Sequence, residues 1–340
     1  MKLLICTQAV DKNDPILGFF HRWIEEFSKH AEYVHVICLK KGVYNLPPNV
    51  SVHSLGKEEV LSRIEYVSRF YRYIWQQRRE YDAVFVHMNS EYVILGGFFW
   101  RLWGKRVGLW YVHKSVTALL RFAVLLVHHV FTTSRESLRL ETSKRIETGH
   151  GIDTEQFTPT ETIKDDTLRI LTTGRVSETK RIAEMIDVVD RINTQGQKVL
   201  FSIVGEPVTS LDKEYLNSLR SDLERRGLSG VVNFEGAISH DLLPEILHKS
   251  DVFLNLSKTG SMDKAVLEAL SSGVPVVTSN EAFQSLLEPL DLFVSADNIE
   301  EIAETIERAK GMNMENVVEY VRDQHSLPSL ITRITSTLSS

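Results

Sequence analysis

The chain has 340 residues, enough for about two domains of roughly 150 each, and its 43% apolar and 25% charged residues exclude a disordered chain. Its net charge of -6 divides into +5 over residues 1–160 (21 basic, 16 acidic) and -11 over 161–340 (18 basic, 29 acidic), so a general nucleic-acid binder is excluded. No apolar run reaches ~18 residues, which argues against a bilayer span, and two cysteines, Cys6 and Cys38, cannot form a disulfide scaffold and fit a reducing, cytoplasmic compartment.

Short β-rich runs alternate with helix-like stretches, the signature of βα units around parallel sheets. In the first half strands are expected at 2–7, 34–39, 50–54, 83–88, 106–111 and 130–134. Helices are expected near 17–29, 58–80, 91–101, 116–127 and 135–142. The opening MKLLICTQAV is too short an apolar run for a secretion signal and reads as a first strand. The segment 63–79, RIEYVSRFYRYIWQQRR, interleaves aromatics with arginines at helical spacing. Its cations are either solvated or lean on anionic lipid or a charged acceptor. A less regular segment, 143–167, ends in the polar stretch ETIKDDT and reads as an interdomain linker.

The second half begins at LRILTTG (168–174). Strands are expected at 168–173, 199–204, 231–235, 251–256, 274–278 and 291–294. Helices are expected near 179–194, 211–226, 240–248, 263–272, 281–287, 298–309, 311–322 and 327–338. Two βα arrays of this size imply an α/β architecture of two Rossmann-like domains whose parallel sheets face each other across a cleft, with ligands at the carboxyl ends of the strands. The boundaries expected are a first domain over 1–160, a second over 165–322, and a terminal helix over 323–340.

The strand-to-helix loops hold the residues with chemistry. In TTGRVSETK (172–180), Gly174 turns the chain and Arg175 and Lys180 bracket the start of a helix. A guanidinium fork and a mobile ammonium beside helix amides suit a diphosphate. Two solvated cations beside a βα turn fit the same local sequence. In LNLSKTGSMDKAVLEALSSGVPVVTSN (254–280), a polar loop with Lys258, Gly260, Ser261 and Met262 enters a helix that Asp263 is placed to cap, followed by Lys264. Glu268 sits between two apolar runs and pairs with a sugar diol if buried. As a lone residue it reads as an exposed helix-surface glutamate. His113, in GLWYVHKSV (108–116), follows the fifth strand and is placed to donate to a sugar hydroxyl or a phosphate oxygen. Gly18 is the single glycine opening the first helix. No HExxH, paired CxxC, GxSxG or first-turn GxGxxG is present, so zinc, α/β-hydrolase and dinucleotide chemistry are disfavoured.

Taken together, GHGID (149–153), GRVSETK (174–180), FSIVGEP (201–207), VNFEGAI (232–238) and SMDKAVLEALSSGVPVVTS (261–279) resemble the retaining glycosyltransferases of family 4, which have the GT-B fold. The resemblance is diffuse over 1–145 and specific over 149–280, and it implies that the first domain is the acceptor side, that the second binds the donor, and that the terminal helix packs back toward the first domain. It implies that Arg175 and Lys180 bind the donor diphosphate and steady its charge. It implies that Glu268, the second glutamate of an E-x7-E motif, holds the ribose, and that His113 lies near the transferred sugar. Gly18 matches the glycine loop near the donor phosphates and the acceptor. Glu206 lies in the matching FSIVGEP segment, and Phe234 and Glu235, with Gly236, fall where such enzymes frame the base. The first glutamate of the motif is replaced by Gly260. Backbone amides at Gly260–Met262 would then meet the sugar, with Asp263 either recognising hydroxyls or only capping the helix. A second departure is SNEAF (279–283), where many relatives carry a glycine pair.

The implied activity is metal-independent, retaining transfer of a sugar from a UDP- or GDP-sugar to a hydroxyl of a glycan or lipid-linked acceptor, in cell-surface polysaccharide or glycolipid synthesis. No tightly bound cofactor and no nucleic-acid partner are expected. A peripheral contact of the first domain with the inner face of the membrane is expected from its +5 charge and its greasy segments 93–103 and 118–131. Two other readings fit the same residues: a non-catalytic nucleotide-sugar or glycan binding module, and a GT-B sugar-nucleotide epimerase.

Overall fold

The computed structural model describes residues 1–14, 16–113, 115–160, 165–258 and 260–340. Residues 161–164 of the expected linker and Thr259 of the loop before Asp263 lie outside the described residues. The chain divides into two compact units, Met1–Gly151 with Gln324–Ser340, and Ile152–Asp323. Each is a parallel α/β sandwich.

The first unit holds β1 (Lys2–Val10), β2 (Tyr33–Lys41), β3 (Val50–Ser54), β4 (Ala83–His87), β5 (Arg106–Trp110), β6 (His129–Thr132) and β7 (Arg145–Glu147). Their order across the sheet is β3-β2-β1-β4-β5-β6-β7, and every pairing is parallel. Helices cover both faces, which is why β1 and β4 read as nearly unbroken apolar runs rather than alternating ones. The terminal helix Leu327–Ser339 belongs to this unit: Leu327, Leu330, Ile331, Ile334 and Leu338 share a core with Phe20, Trp23, Ile24 and Phe27. Glycine is required where the chain returns. Gly149 has φ +79°, and a Cβ there would lie 2.0 Å from the Gln324 carbonyl oxygen.

The second unit holds β8 (Leu168–Thr173), β9 (Val199–Val204), β10 (Val232–Gly236), β11 (Val252–Asn255) and β12 (Val276–Thr278), in the order β10-β9-β8-β11-β12. The strand order therefore reverses between β8 and β11, and the loops leaving those two strands part around the crevice where open α/β sheets bind ligands. The helix Ile182–Thr194 fastens one face of the sheet through Ile182, Met185, Ile186, Val189 and Ile192, a stripe at helical spacing.

Three expectations are corrected. No helix forms over 135–142; the chain makes a short turn there. Ser137, fully buried, takes the Thr133 hydroxyl at 2.7 Å and lies 3.2 Å from that of Ser134. Such local side-chain bonding competes with helix formation. The expected strand at 291–294 is a single bridge between Thr278 and Phe293. The long helix expected over 58–80 is Arg63–Gln76. Its start is fixed by a capping box in which Ser62 and Glu65 exchange side-chain and backbone bonds. Strand β7 lies outside every expected strand.

Candidate functional site

At the carboxyl edge of the second sheet, three neighbouring strand ends converge on glycine. Gly174, Gly205 and Gly236 follow or end β8, β9 and β10, with φ of +129°, +138° and +74°. Gly174 N–H donates to the Val204 carbonyl at 2.9 Å, and Gly205 N–H donates to the Gly236 carbonyl at 2.8 Å. A Cβ at Gly205 would lie 1.9 Å from the Gly174 carbonyl oxygen, so no other residue fits without moving the backbone. The result is an edge stripped of side chains at three consecutive positions, which lets a ligand approach main-chain atoms.

Two cations stand on this edge. Arg175 is half exposed, its Nε 3.9 Å from Asp212 Oδ2. Lys180 ends the short turn Glu178–Lys180, and its aliphatic stem folds back over Gly174, where a Cβ would lie 3.3 Å from Lys180 Cε. Its ammonium is ion-paired with the Asp263 carboxylate. The next cation, Arg181, is used differently. It is buried at φ +57° and tied to Glu184 at 2.9 Å and to Asp297, so it anchors the turn.

Asp263 occupies the N-cap position of the helix Lys264–Ser271, yet its side chain makes no capping bond. The carboxylate turns away, across the switch point, and accepts from Lys180 and from Asn255 Nδ2 at 3.2 Å. Asn255 Oδ1 accepts from Thr278 Oγ1 at 3.1 Å, and Thr278 Oγ1 accepts from the Asn280 N–H at 3.0 Å. Asn280 Nδ2 then holds the Ser261 carbonyl at 2.9 Å. Asn255, Thr278 and Asn280 are all buried, so this chain of bonds fixes the Gly260–Asp263 loop from below. Gly260 itself has φ +55°.

Glu268 is buried (3% exposed) rather than solvated. One carboxylate oxygen meets His240 Nε2 at 2.7 Å and Lys264 Nζ at 3.0 Å. Burial alone would raise its pKa; the Lys264 charge and the His240 hydrogen bond outweigh burial and bring it down to about 2. His240 packs edge-on to Phe157 at 5.3 Å.

The remaining expected residues are spread more widely. Phe234, in β10, lies under the Arg220 guanidinium at 5.8 Å, and Glu235 accepts from Ser202 Oγ at 3.2 Å. Glu206 is exposed beside Gly236, and its carbonyl accepts from the Val176 N–H at 3.1 Å. Gly18 and His113 belong to the first unit. Gly18 precedes the helix Phe19–His30, and a Cβ there would lie 2.7 Å from the Asp14 carbonyl oxygen. His113 follows β5, is exposed, and its Nδ1 accepts from the Ser115 N–H at 3.0 Å. The structure thus joins Lys180 to Asp263 beside Gly174, joins Lys264 to Glu268, and leaves Arg175 paired with Asp212. Sequence reasoning missed Asn255, Thr278, Asn280 and His240. A buried asparagine inside the apolar run VFLNL was the one signal that pointed to this network. Among the described residues, no group of three or more His, Cys, Asp or Glu converges as a metal site.

Two doubly wound parallel-sheet units with a glycine-edged, cationic crevice in the second define the GT-B class of fold. The sequence pattern of the glycosyl transferases group 1 matches residues 153–323, half of the chain, and the chain belongs to that family. The gpi3 subunit of the phosphatidylinositol N-acetylglucosaminyltransferase of Schizosaccharomyces pombe is 28% identical over 169 residues, 47% of this chain and 36% of that protein. The match thus spans about a third of that relative's length. Anabaena HepE, solved in complex with UDP, superposes with a TM-score of 0.77 over all of both chains at 16% identity. Sucrose-phosphate synthase from Thermosynechococcus elongatus does so at 0.73, covering 100% of this chain and 98% of that one at 13% identity. At these identities the likeness is one of fold.

Proposed function

We propose that this glycosyltransferase takes a UDP- or GDP-sugar as donor and transfers the sugar, with retention and without a metal, to a hydroxyl of a glycan or lipid-linked acceptor in cell-surface polysaccharide or glycolipid synthesis. The observation that carries the donor reading is the placement of Lys180 and Arg175 on an edge where three strands end in glycine. HepE, of the same fold, was solved with UDP and with UDP-glucose, which supports a nucleoside diphosphate donor.

In this reading the diphosphate lies along Gly174, with Arg175 and Lys180 offsetting the charge that develops as it leaves. Lys180 exchanges its Asp263 partner for a phosphate oxygen. Glu268, held by His240 and Lys264, accepts from the ribose hydroxyls. Phe234, Glu235 and Glu206 flank the base. Gly260–Met262 amides and the Asp263 carboxylate, released from Lys180, read the sugar in place of the absent first glutamate. Gly18 and His113 serve the acceptor and the transferred sugar. The acceptor hydroxyl attacks the anomeric carbon from the face the diphosphate leaves, and a leaving phosphate oxygen takes its proton, so no carboxylate nucleophile is required.

The test is a donor screen read by released nucleoside diphosphate, with lipid-linked and oligosaccharide acceptors present. Lys180→Ala or Arg175→Ala should lower transfer by about 10²–10³-fold with unchanged circular dichroism. Transfer at the wild-type rate in both variants defeats the site assignment. Nucleotide binding with no product from any donor would favour a binding module, and isomerised free sugar would point to an epimerase.

A further inference from the structure

The first sheet repeats the winding of the second. Its strands β3-β2-β1-β4-β5 follow the order of β10-β9-β8-β11-β12, so β1 and β4 stand where β8 and β11 do, and the strand order reverses between them. The pairing of β1 with β4 ends at Cys6 and Val86, while β1 runs on to Val10. Gln8 lies beyond that last pair and is exposed, although β1 is an inner strand. Across the switch point its Nε2 donates to Asn89 Oδ1 at 2.9 Å. Asn89 holds the N-cap position of the helix Ser90–Leu102, where an asparagine ordinarily bonds a first-turn amide, yet its side chain makes no capping bond. Asp263 behaves in the same way after β11. In each unit the cap residue beyond the reversal turns back across it, to Lys180 in the second and to Gln8 in the first. The backbone bends to aim Asn89. Met88 has φ +64°, uncommon for a residue with a side chain, and the bend is held by the Met88 N–H on the Trp110 carbonyl at 2.8 Å and the Asn89 N–H on the His87 carbonyl at 2.7 Å. Below, the buried Tyr92 hydroxyl donates to the Thr7 carbonyl at 3.0 Å.

The two pairs differ in charge, and charge sets what each can hold. Lys180 and Asp263 are ions, suited to a phosphate and to hydroxyls that a carboxylate can accept from. Gln8 and Asn89 are neutral amides. After their mutual bond, Gln8 Oε1 and Asn89 Nδ2 have no further partner among the described residues. A free carbonyl accepts a hydroxyl proton and a free NH2 donates to a hydroxyl oxygen, so the pair matches neighbouring hydroxyls of a sugar. A phosphate oxygen has no proton to offer the Gln8 carbonyl. We propose that Gln8 and Asn89 bind neutral hydroxyls of the acceptor, at the switch point of the first sheet, and that they select a sugar rather than a phosphate for that position. The inference rests on the glycosyltransferase reading above and names the acceptor group that this edge recognises.

The test reads binding rather than transfer. Methyl glycosides of glucose, galactose, mannose and N-acetylglucosamine are titrated against the full chain by saturation-transfer NMR, and UDP and GDP are titrated into the same samples by calorimetry. At least one glycoside should bind wild type. Gln8→Ala and Asn89→Ala should each weaken its Kd about tenfold, the worth of one good hydrogen bond, with the nucleotide Kd and circular dichroism unchanged. Asn89→Ser removes the amide but leaves a preferred cap residue, so it should show the same loss and keeps the test valid if Asn89→Ala frays the helix. The proposal is overturned if no glycoside binds wild type, if one binds wild type and all three variants equally, or if inorganic phosphate displaces it. The nucleotide titration judges the donor reading by itself: nucleotide that binds with no glycoside effect defeats this inference alone, and glycoside binding lost in the variants without any nucleotide binding defeats the donor reading alone.

Discussion

Glu268→Gln keeps the shape of the side chain and removes one buried negative charge. Its carboxyl sits at about 2 against an ordinary 4.5, a drop of about two and a half pH units, or about 3 kcal/mol at 1.36 kcal/mol each. The sign follows from the direction. A carboxyl held low in the folded state binds its proton more readily when unfolded, so its contribution is complete above 4.5 and is lost as pH falls toward 2. The variant should therefore be less stable than wild type by about 3 kcal/mol at pH 7, because Lys264 and His240 lose their shared anion. The gap should hold down to about pH 5 and narrow below 4.5. Denaturant unfolding across that range measures it, and hydrogen exchange of the amides of helix Lys264–Ser271 locates it. A variant as stable as wild type at pH 7, or a gap that widens in acid, would show that Lys264 and His240 do not hold this carboxylate.

Gly205→Ala should cost roughly 3 kcal/mol or more and abolish nucleotide binding, because its Cβ meets a backbone carbonyl at 1.9 Å; thermal unfolding and calorimetry check both, and a fully stable variant would refute the close approach. Asp263→Asn frees Lys180 from its ion pair. Affinity for UDP should rise severalfold while transfer falls, and a loss of UDP affinity would mean that Asp263 serves the phosphate end instead.

The architecture was legible because parallel strands buried on both faces leave apolar runs that helices of different period separate. VLFSIV and VVNFE fall within a residue of the strands formed, and KLLICT opens a strand that runs on to Val10. Short edge elements were not legible. Arg145–Glu147 has one apolar residue in three and becomes a strand only because β6 is there to pair with it. The turn at 135–137 was hidden because RESLRL has helical composition, while the Ser137 bonds that stop a helix depend on neighbours brought together by folding. At the site, Gly174, Lys180 and Asp263 were visible as loop residues after strands. Their connection was not. It runs through Asn255 and Thr278, 23 residues apart in sequence and one strand apart in the sheet. His240 gave no signal, since nothing in SHDLL marks it as the partner of a buried glutamate 28 positions on.

Calorimetric titration of UDP and GDP into wild type, Lys180→Ala and Arg175→Ala bears most directly on the donor crevice. One of the two nucleotides should bind wild type, and each substitution should weaken that Kd by about 10- to 100-fold, the worth of a charge-assisted bond to phosphate. The same Kd in all three proteins would place the diphosphate elsewhere and remove the basis for the proposed transfer chemistry.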